Sequence, residues 1–287
     1  PTNHTLSLGT MNLDGTNQTV LVDYMTHQGK HASWSPDGST IVFIDNAYGS
    51  IWTIKPDSSD AAEVLRCGDW CAIMDYPSWS PDGSKILFVA FAGDPNQPPQ
   101  SSTINVLDIA TGERTVVTEA TFPQIVDTPQ FSPDGSAIVF SMNELDDAFN
   151  QTGAALATVP VTGGDLTWLT DFDQFAYYPS WNATTNEILF GQEPILWSAL
   201  ADRDAQPLNL WTISPDGTEL TQVTDVAQGE QVIQSSWTPD GDQIIATFVN
   251  KDGTRLAWID PQTGAITPIG PEERIYARVQ PVPRSDQ

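Results

Sequence analysis

Residues 78–90 read SWSPDGSKILFVA: an aromatic residue, a Ser-Pro-Asp-Gly turn and then an apolar strand. Proline favours the first corner of a tight turn, aspartate hydrogen-bonds to the local backbone, and glycine accepts a positive φ. The stretch therefore predicts two strands joined by a tight turn. The pattern recurs four times, as SWSPDGSTIVFI (33–44), QFSPDGSAIVFS (130–141), SWNATTNEILFG (180–191) and SWTPDGDQIIATFV (236–249).

The aromatic residue before each turn, called the anchor below, recurs with spacings of 45, 52, 50 and 56 residues. The anchors are Trp34, Trp79, Phe131, Trp181 and Trp237. Each apolar strand is followed by two more strand-like segments, such as TINVLDI (103–109) and RTVVT (114–118) in the second unit. A repeat of about 40–50 residues with four strands is typical of a β-propeller blade.

The two ends of the chain predict a further blade. Residues 5–23 read as the third and fourth strands of a blade, and residues 274–287 read as a first strand, because residues 281–283 align with residues 77–79. Pairing the two ends would close the ring and remove exposed strand edges. The second strand of this blade is expected upstream of residue 1.

We therefore predict an all-β, six-bladed β-propeller of four-stranded antiparallel blades, closed by pairing the N- and C-terminal strands in one split blade. The whole chain is expected to form a single domain, 1–287. The predicted boundaries are 27–66, 67–119, 120–171, 172–226 and 227–270 for blades 1 to 5, with 1–26 and 271–287 sharing blade 6.

The repeat resembles that of the TolB-type six-bladed β-propellers, a WD40-like family whose repeat carries a Pro-x-Trp-Ser-Pro-Asp-Gly turn. Segments 33–38, 78–83 and 130–135 match this turn closely, and the fourth and fifth repeats are degenerate. The resemblance covers nearly all of the chain. It implies the propeller fold and a role in the cell envelope.

Composition narrows the classes of function. The chain has 37 acidic and 11 basic residues, a net charge of −26. This charge disfavours a nucleic-acid partner, whose phosphates need a basic face, and it disfavours docking on anionic lipid. No apolar run approaches the roughly 18–20 residues that span a bilayer, so no direct membrane insertion is expected.

Sequence motifs give no sign of catalysis. The chain contains no G-x-S-x-G nucleophile elbow, P-loop, G-x-G-x-x-G or H-E-x-x-H motif. It has three histidines, too few to favour a histidine-rich catalytic metal site. We therefore expect a protein that is not an enzyme.

Alternating strand directions place the connections of each blade on two opposite faces. The tight turns between the first and second and between the third and fourth strands lie on one face. The connections between the second and third strands and between blades lie on the other, called the loop-bearing face below. The long insertions fall there, at 66–76, 91–102, 142–153 and 192–207. Because loops on a rigid scaffold often carry binding residues, this face is the predicted partner site.

Large apolar residues within these insertions are the candidate partner contacts. They are Trp70, Ile195, Leu196, Trp197 and Leu200. Such side chains supply most of the energy at protein interfaces. Residues 195–200 could equally fold back over their own blade, and Trp70 could equally be a buried staple.

Residues three and four positions before the anchors are expected to line the mouth of the central channel. The candidate ligand-binding residues among them are His31, Asp75, Tyr76, Asp127, Tyr177 and Tyr178. The two carboxylates could hold Ca²⁺, share a proton or pair with Lys30. The tyrosines could form an aromatic floor for a sugar or peptide, or pack between blades. We expect no metal site and no cofactor, with Ca²⁺ as the single candidate ion.

The two cysteines of the chain, Cys67 and Cys71, are four residues apart in the link between blades 1 and 2. In an acidic, exported protein this spacing favours a local disulfide. The alternative is a pair of free thiols in a cytosolic protein. A disulfide would hold Trp70 in position on the loop-bearing face.

These observations favour a non-catalytic interaction or scaffold module, exported to the periplasm or the extracellular space. Its partner would be another protein of the cell envelope, bound through the loop-bearing face. The alternative is a carbohydrate- or peptide-binding protein, or a hydrolase or lyase, that uses the acidic, tyrosine-lined channel mouth.

Overall fold

The computed structural model describes residues 8–12, 14, 16–22, 29–45, 49–93, 99–192 and 207–269. These residues form β-strands and one 3-10 turn, Phe172–Gln174. The first two strands are β1 (Leu8–Thr10) and β2 (Thr19–Val22). The strands of blade 1 are β3 (Gly29–Trp34), β4 (Ile41–Asp45), β5 (Ser50–Ile54) and β6 (Ala62–Arg66).

The remaining strands follow the same order along the chain. Blade 2 holds β7 (Ile73–Trp79), β8 (Lys85–Ala92), β9 (Ser101–Asp108) and β10 (Arg114–Thr121). Blade 3 holds β11 (Gln124–Phe131), β12 (Ala137–Leu145), β13 (Gln151–Pro160) and β14 (Thr167–Trp168). Blade 4 holds β15 (Ala176–Trp181), β16 (Ile188–Gln192), β17 (Asn209–Ile213) and β18 (Thr221–Gln222). Blade 5 holds β19 (Gln231–Trp237), β20 (Ile244–Asn250), β21 (Gly253–Ile259) and β22 (Ile266–Ile269). In every blade, sequential strands are antiparallel neighbours.

The prediction of six four-stranded blades is wrong. Within the described ranges the chain forms five four-stranded sheets and one two-stranded sheet, made by β1 and β2. Within those ranges no further strand pairs with β1 or β2. The predicted closing strand, 274–287, lies outside them. The β1–β2 hairpin itself lies between blades, since Leu21 and Val22 pack on the core of blade 1 and Met11 packs on that of blade 5.

The sequence repeat corresponds to a repeated core. The residue nine positions after the anchor is phenylalanine in the first four blades, and all four rings are almost fully buried: Phe43, Phe88, Phe140 and Phe190. In blade 5 that position is Ala246, and Phe248, two residues later, is buried instead. The apolar clusters join neighbouring blades: one contains Leu87 of blade 2 and Phe140 of blade 3. Burial between blades therefore holds the propeller together.

The Ser-Pro-Asp-Gly turns share one hydrogen-bond network. In blade 3, the Ser132 hydroxyl donates to Asp134 Oδ1 at 2.7 Å and accepts the Ala137 N–H at 2.9 Å. The serine or threonine at the same place in blades 1, 2 and 5 makes the same two bonds, as Ser35, Ser80 and Thr238. In each of these turns, one hydroxyl therefore hydrogen-bonds both to the aspartate within the turn and to the backbone of the residue that follows the turn.

The degenerate turn of blade 4 reaches the same shape by different chemistry. Asn182 Oδ1 accepts the N–H groups of Thr184 and Thr185 at 2.8 and 3.1 Å, and Asn182 Nδ2 donates to the Gly241 carbonyl of blade 5 at 3.0 Å. Asn186 supplies the left-handed residue, with φ +64°. An asparagine thus takes the left-handed position that glycine holds in the other turns.

The Gly241→Ala substitution is expected to lower the free energy of unfolding by about 2–3 kcal/mol. Gly241 has φ +74°, and a Cβ there would collide with the side chains of Asn182 and Thr184. Gly112→Ala is the matched control, because Gly112 has φ +72° and a Cβ added to it would have no atom within 4 Å. The control should cost about 1 kcal/mol, from backbone strain alone. Equal losses in urea-induced unfolding would contradict the contact between the turns.

The turn carboxylates are more acidic than free aspartate. The Ser80 hydroxyl, followed by a backbone N–H, lowers the pKa of Asp82 to about 2. The Ser132 hydroxyl, again followed by a backbone N–H, lowers the pKa of Asp134 to about 2. Because these pKa values lie below those of the unfolded chain, about 3.9, the contacts stabilise the fold above about pH 4. That contribution is lost as the pH falls toward about 2.

The Asp134→Asn variant is therefore expected to lose less stability than the wild type between about pH 4 and pH 2. Asparagine keeps an oxygen that accepts the Ser132 hydroxyl but does not titrate. Urea unfolding at three pH values across this range measures the slope for both proteins. An unchanged slope would show that the Asp134 carboxylate does not contribute to acid sensitivity.

Candidate functional site

The first strand of every blade carries a β-bulge near its start. The pairing of these strands with their neighbours shifts between Lys30 and Ser33, Asp75 and Ser78, Asp127 and Gln130, Tyr177 and Ser180, and Val232 and Gln234. In blades 1 to 4 the bulge contains a left-handed residue with φ between 46° and 53°: His31, Tyr76, Thr128 and Tyr178. Such residues are uncommon and costly outside glycine, and they cluster at functional sites.

Two bulges are fixed by a carboxylate. Asp75 Oδ1 accepts the N–H of Tyr76 at 3.0 Å, and Asp127 Oδ1 accepts the N–H of Thr128 at 3.0 Å. In blade 3, Thr128 Oγ1 also lies 3.0 Å from the hydroxyl oxygen of Ser141 on β12. These bonds offset the strain of the left-handed residues and hold the side chains of both bulges in place.

A cavity of about 260 Å³ lies beside the bulges of blades 2 to 5. Its lining comes from the starts of first and third strands and the end of a second strand, so it belongs to the loop-bearing face. Three tyrosines, one carboxylate and several neutral polar groups surround it. The lining residues are Tyr76, Asp127, Thr128, Ser141, Asn143, Gln151, Tyr177, Tyr178, Leu208, Gln231 and Ile233.

The structure divides the predicted channel-mouth residues into two groups. Tyr76, Asp127, Tyr177 and Tyr178 line the cavity together. Asp75 instead pairs with His31 Nδ1 of the neighbouring blade. The His31 ring stacks on Tyr76, with centroids 4.3 Å apart and an angle of 15° between the planes. His31 and Asp75 thus support one wall of the cavity through Tyr76.

Sequence reasoning did not select several polar residues of the cavity. Ser141 ends the segment 130–141 that reads as an apolar strand, whereas Asn143 falls in 142–153, which reads as a loop insertion. The structure continues β12 through both residues to Leu145, and both are buried. For Ser141, a polar side chain at the end of an apolar strand was the available signal. Leu208 and Gln231 come together through an isolated parallel bridge between blades 4 and 5. No local pattern in the sequence predicts that pairing.

The link between blades 1 and 2 holds the disulfide. Cys67 and Cys71 are bonded, with Cα atoms 5.3 Å apart, as expected from their spacing. Trp70 between them is partly buried against the apolar cluster of blades 1 and 2, edge-on to Phe88. The Arg114 guanidinium lies over its ring, 4.0 Å from the centroid. The Trp70 ring therefore packs between the two blades. A contact of Trp70 with a partner stays a prediction.

An aromatic pair lies on the loop-bearing face of blade 3. Phe149 is 45% exposed, and its ring centroid is 5.3 Å from that of Phe122. Phe149 is two residues from Gln151, which lines the cavity, so the two Cα atoms are at most about 7 Å apart. The other predicted contacts, Ile195, Leu196, Trp197 and Leu200, lie outside the described residues.

The described residues contain no group of three or more histidine, cysteine, aspartate or glutamate side chains that could hold a metal ion. The predicted pair of Asp75 and Asp127 does not form a joint site in the cavity lining, since Asp127 alone of the two is part of it. In the same ranges, no helix has the length and apolar character needed to cross a membrane.

The repeated blade and its turns agree with the family comparison. The profile of the TolB beta-propeller domain matches residues 69–271, more than half of the chain. The chain belongs to the TolB beta-propeller domain family. Among solved structures, a putative TolB from Agrobacterium tumefaciens is similar, with a TM-score of 0.69 and 18% identity. That likeness covers 92% of this chain and 88% of the other.

Proteins named for other activities also resemble the chain. An oligogalacturonate lyase in complex with manganese has a TM-score of 0.61 and 17% identity, covering 92% of this chain and 72% of the other. The uncharacterized peptidase YuxL of Bacillus subtilis (strain 168) is 27% identical over 134 residues, 46% of this chain. The match spans 18% of that protein's length. At these identities the structural likeness shows the fold alone, so function has to be argued from the site.

Proposed function

We propose that this chain is a protein-interaction module that binds an extended segment of a partner protein in the cavity on its loop-bearing face. The observation that carries the proposal is the cavity itself, where strained bulges of blades 2 and 4 bring Tyr76, Tyr177 and Tyr178 together. Its volume of about 260 Å³ is below the roughly 300–1,000 Å³ typical of pockets for drug-sized ligands. It therefore suits one or two side chains of a peptide.

The surface next to the cavity supports a larger partner. The exposed Phe149 ring, packed on Phe122, offers an apolar contact close to Gln151. Exposed aromatic residues beside a polar pocket are typical of interface centres. A segment with one side chain in the cavity could cover this pair with a neighbouring residue.

The lining favours binding over catalysis. Glycoside hydrolysis uses a pair of carboxylates, and of the described lining residues Asp127 alone is a carboxylate. No histidine is among those lining residues, so a general base that titrates near neutral pH is not supplied by imidazole. We therefore propose that the chain is not an enzyme.

We place the protein in the periplasm or outside the cell, with a partner in the cell envelope. The disulfide between Cys67 and Cys71 supports an oxidising compartment. The family membership supports a propeller that works by contact with other proteins. The exported location and the envelope partner are both part of the proposal.

Site-specific photocrosslinking in the source cells tests the proposed function. One protein carries p-benzoylphenylalanine in place of Gln151, in the cavity lining. The matched control carries it in place of Ile109, which is 40% exposed in a tight turn on the opposite face. We expect one defined protein to be crosslinked from position 151 and not from position 109.

Three results would contradict the proposal. Equal crosslinking from both positions would show that the partner does not bind specifically on the loop-bearing face. An absence of crosslinking from position 151 would show that the cavity is not part of the interface. Turnover of a defined substrate that Asp127→Asn abolishes would make the chain an enzyme.

A further inference from the structure

One buried acceptor in the cavity lining lacks a donor. Asn143 lines the cavity and is 8% exposed, and its Oδ1 has no hydrogen-bond partner in the part of the chain that the structure describes. Its Nδ2 lies 3.4 Å from Asp127 Oδ2. This contact fixes which end of the amide is the acceptor, because turning the amide over would bring its oxygen against the carboxylate. A buried carbonyl oxygen without a donor is costly, and a ligand or a bound water normally satisfies it.

A pair of hydroxyls beside Asn143 supplies a donor. Thr128 Oγ1 and Ser141 Oγ are buried, belong to the cavity lining and lie 3.0 Å apart. The two hydroxyls carry two protons, and the bond between them uses one. Among the described residues neither oxygen has a further hydrogen bond, so the second proton can be donated to a ligand. Blade 3 therefore presents one acceptor and one donor to the cavity.

The donor and the acceptor follow one another along a strand. Ser141 and Asn143 are two residues apart on β12, so their side chains leave the same face and their Cα atoms are about 6.5 Å apart. A single hydroxyl of a ligand spans about 5.5 Å between two hydrogen-bond partners. A ligand that carries its acceptor and its donor on two different atoms therefore matches this spacing better than a hydroxyl does.

Among amino-acid side chains, the carboxamide of glutamine or asparagine fits this arrangement. Its oxygen and one of its N–H groups point to the same side of a planar group. Arginine and lysine have donors alone, and ionised glutamate and aspartate have acceptors alone. In a trans main-chain peptide the N–H and the C=O point in opposite directions, so one peptide unit cannot face both partners.

We infer that the cavity binds a side-chain carboxamide of the partner segment. Its N–H donates to Asn143 Oδ1, and its oxygen accepts the second proton of the Thr128–Ser141 pair. The three tyrosines of the lining supply apolar surface for the methylene groups and the flat face of the amide. This inference rests on the proposed function, which leaves the chemistry of the segment open.

A pair of small probes tests the inference without the natural partner. Nα-acetyl-glutamine N-methylamide carries one primary carboxamide, on its side chain. Nα-acetyl-5-oxonorleucine N-methylamide is also neutral and has nearly the same shape, but a methyl group replaces the NH₂, so its side chain cannot donate. Titration into the ¹⁵N-labelled full chain, followed by NMR, gives both dissociation constants. We expect the glutamine probe to bind at least about tenfold more tightly, with a shift of the Asn143 side-chain amide.

Two variants assign this preference to a residue. Asn143→Ala removes the acceptor, so the preference for the glutamine probe should fall below about threefold. Asn250→Ala is the matched control and should keep the tenfold preference. Asn250 ends the second strand of blade 5, is not among the described lining residues, and accepts the Asp252 N–H with its Oδ1 at 2.9 Å.

The outcomes separate this inference from the proposed function. Equal binding of the two probes to the wild type would show that a bound water satisfies Asn143, and it overturns the inference. No binding of the glutamine probe, or a preference that survives Asn143→Ala, also overturns it. A partner crosslinked from position 151 through a segment without glutamine or asparagine overturns the inference and leaves the proposed function standing. Glutamine binding as expected, without any crosslinked partner, would keep the carboxamide site and remove the proposed function.

Discussion

Phe140→Ala is expected to lower the free energy of unfolding by about 4 kcal/mol, within the range for removal of a fully buried phenylalanine. The Phe140 side chain is 0% exposed and packs in the cluster that joins blades 2 and 3. Its loss removes apolar contact and leaves a cavity between two rigid sheets that cannot readily close around it. We therefore expect this ring to have the largest single stabilising role in its blade.

Phe149→Ala is the matched control for this prediction. Phe149 lies nine residues later in the same blade and is 45% exposed. Its loss should change the unfolding free energy by less than about 1 kcal/mol. Urea-induced unfolding of both variants, followed by tryptophan fluorescence, gives the comparison. Similar losses in the two variants would contradict the burial of Phe140 between blades.

Tyr178→Gly is expected to weaken binding of the partner about 10- to 100-fold while leaving stability within about 1 kcal/mol of the wild type. Binding falls because an aromatic side chain is lost from the lining of the cavity. Stability changes little because Tyr178 has φ +53°, a conformation that glycine adopts without strain. Relief of that strain offsets the lost ring contacts and the entropy cost of glycine.

Tyr178→Ala separates the two effects. Alanine also lacks the ring but keeps the strained backbone, so it should lose as much affinity as glycine and be the less stable variant. Affinity is measured with the crosslinked partner once it is identified, and stability by urea unfolding. A glycine variant that binds normally, or that loses stability as alanine does, would show that the bulge does not hold Tyr178 for binding.

The repeat made the propeller architecture predictable, because the residues of each turn indicate its conformation. A proline, an aspartate and a glycine in sequence specify a tight turn, and the anchors mark where each blade begins. The count of blades could not be read in the same way. The split blade was inferred from the two chain ends, and the described residues there form a hairpin of β1 and β2 without further strands.

The site was only partly predictable. Counting back from the anchors found Tyr76, Asp127, Tyr177 and Tyr178, because each blade repeats the same bulge. It also selected His31 and Asp75, which the structure pairs across blades 1 and 2 rather than placing in the cavity lining. Contacts between blades depend on how the sheets pack, and no local sequence pattern records that packing.

Asn143 shows the same limit within one strand. Residues 142–153 read as a loop insertion in the sequence, but β12 runs on to Leu145 and places Asn143 beside Asp127 of β11. The end of this strand could not be read from the sequence, because pairing with β11 and β13 extends it.

A structure of the chain bound to the segment crosslinked from position 151 tests the central claim most directly. We predict that the segment occupies the loop-bearing face, with one side chain in the cavity in contact with Tyr76, Tyr178 and Asp127. A segment bound on the face of the tight turns, or along the outer fourth strands with the cavity untouched, would contradict this prediction.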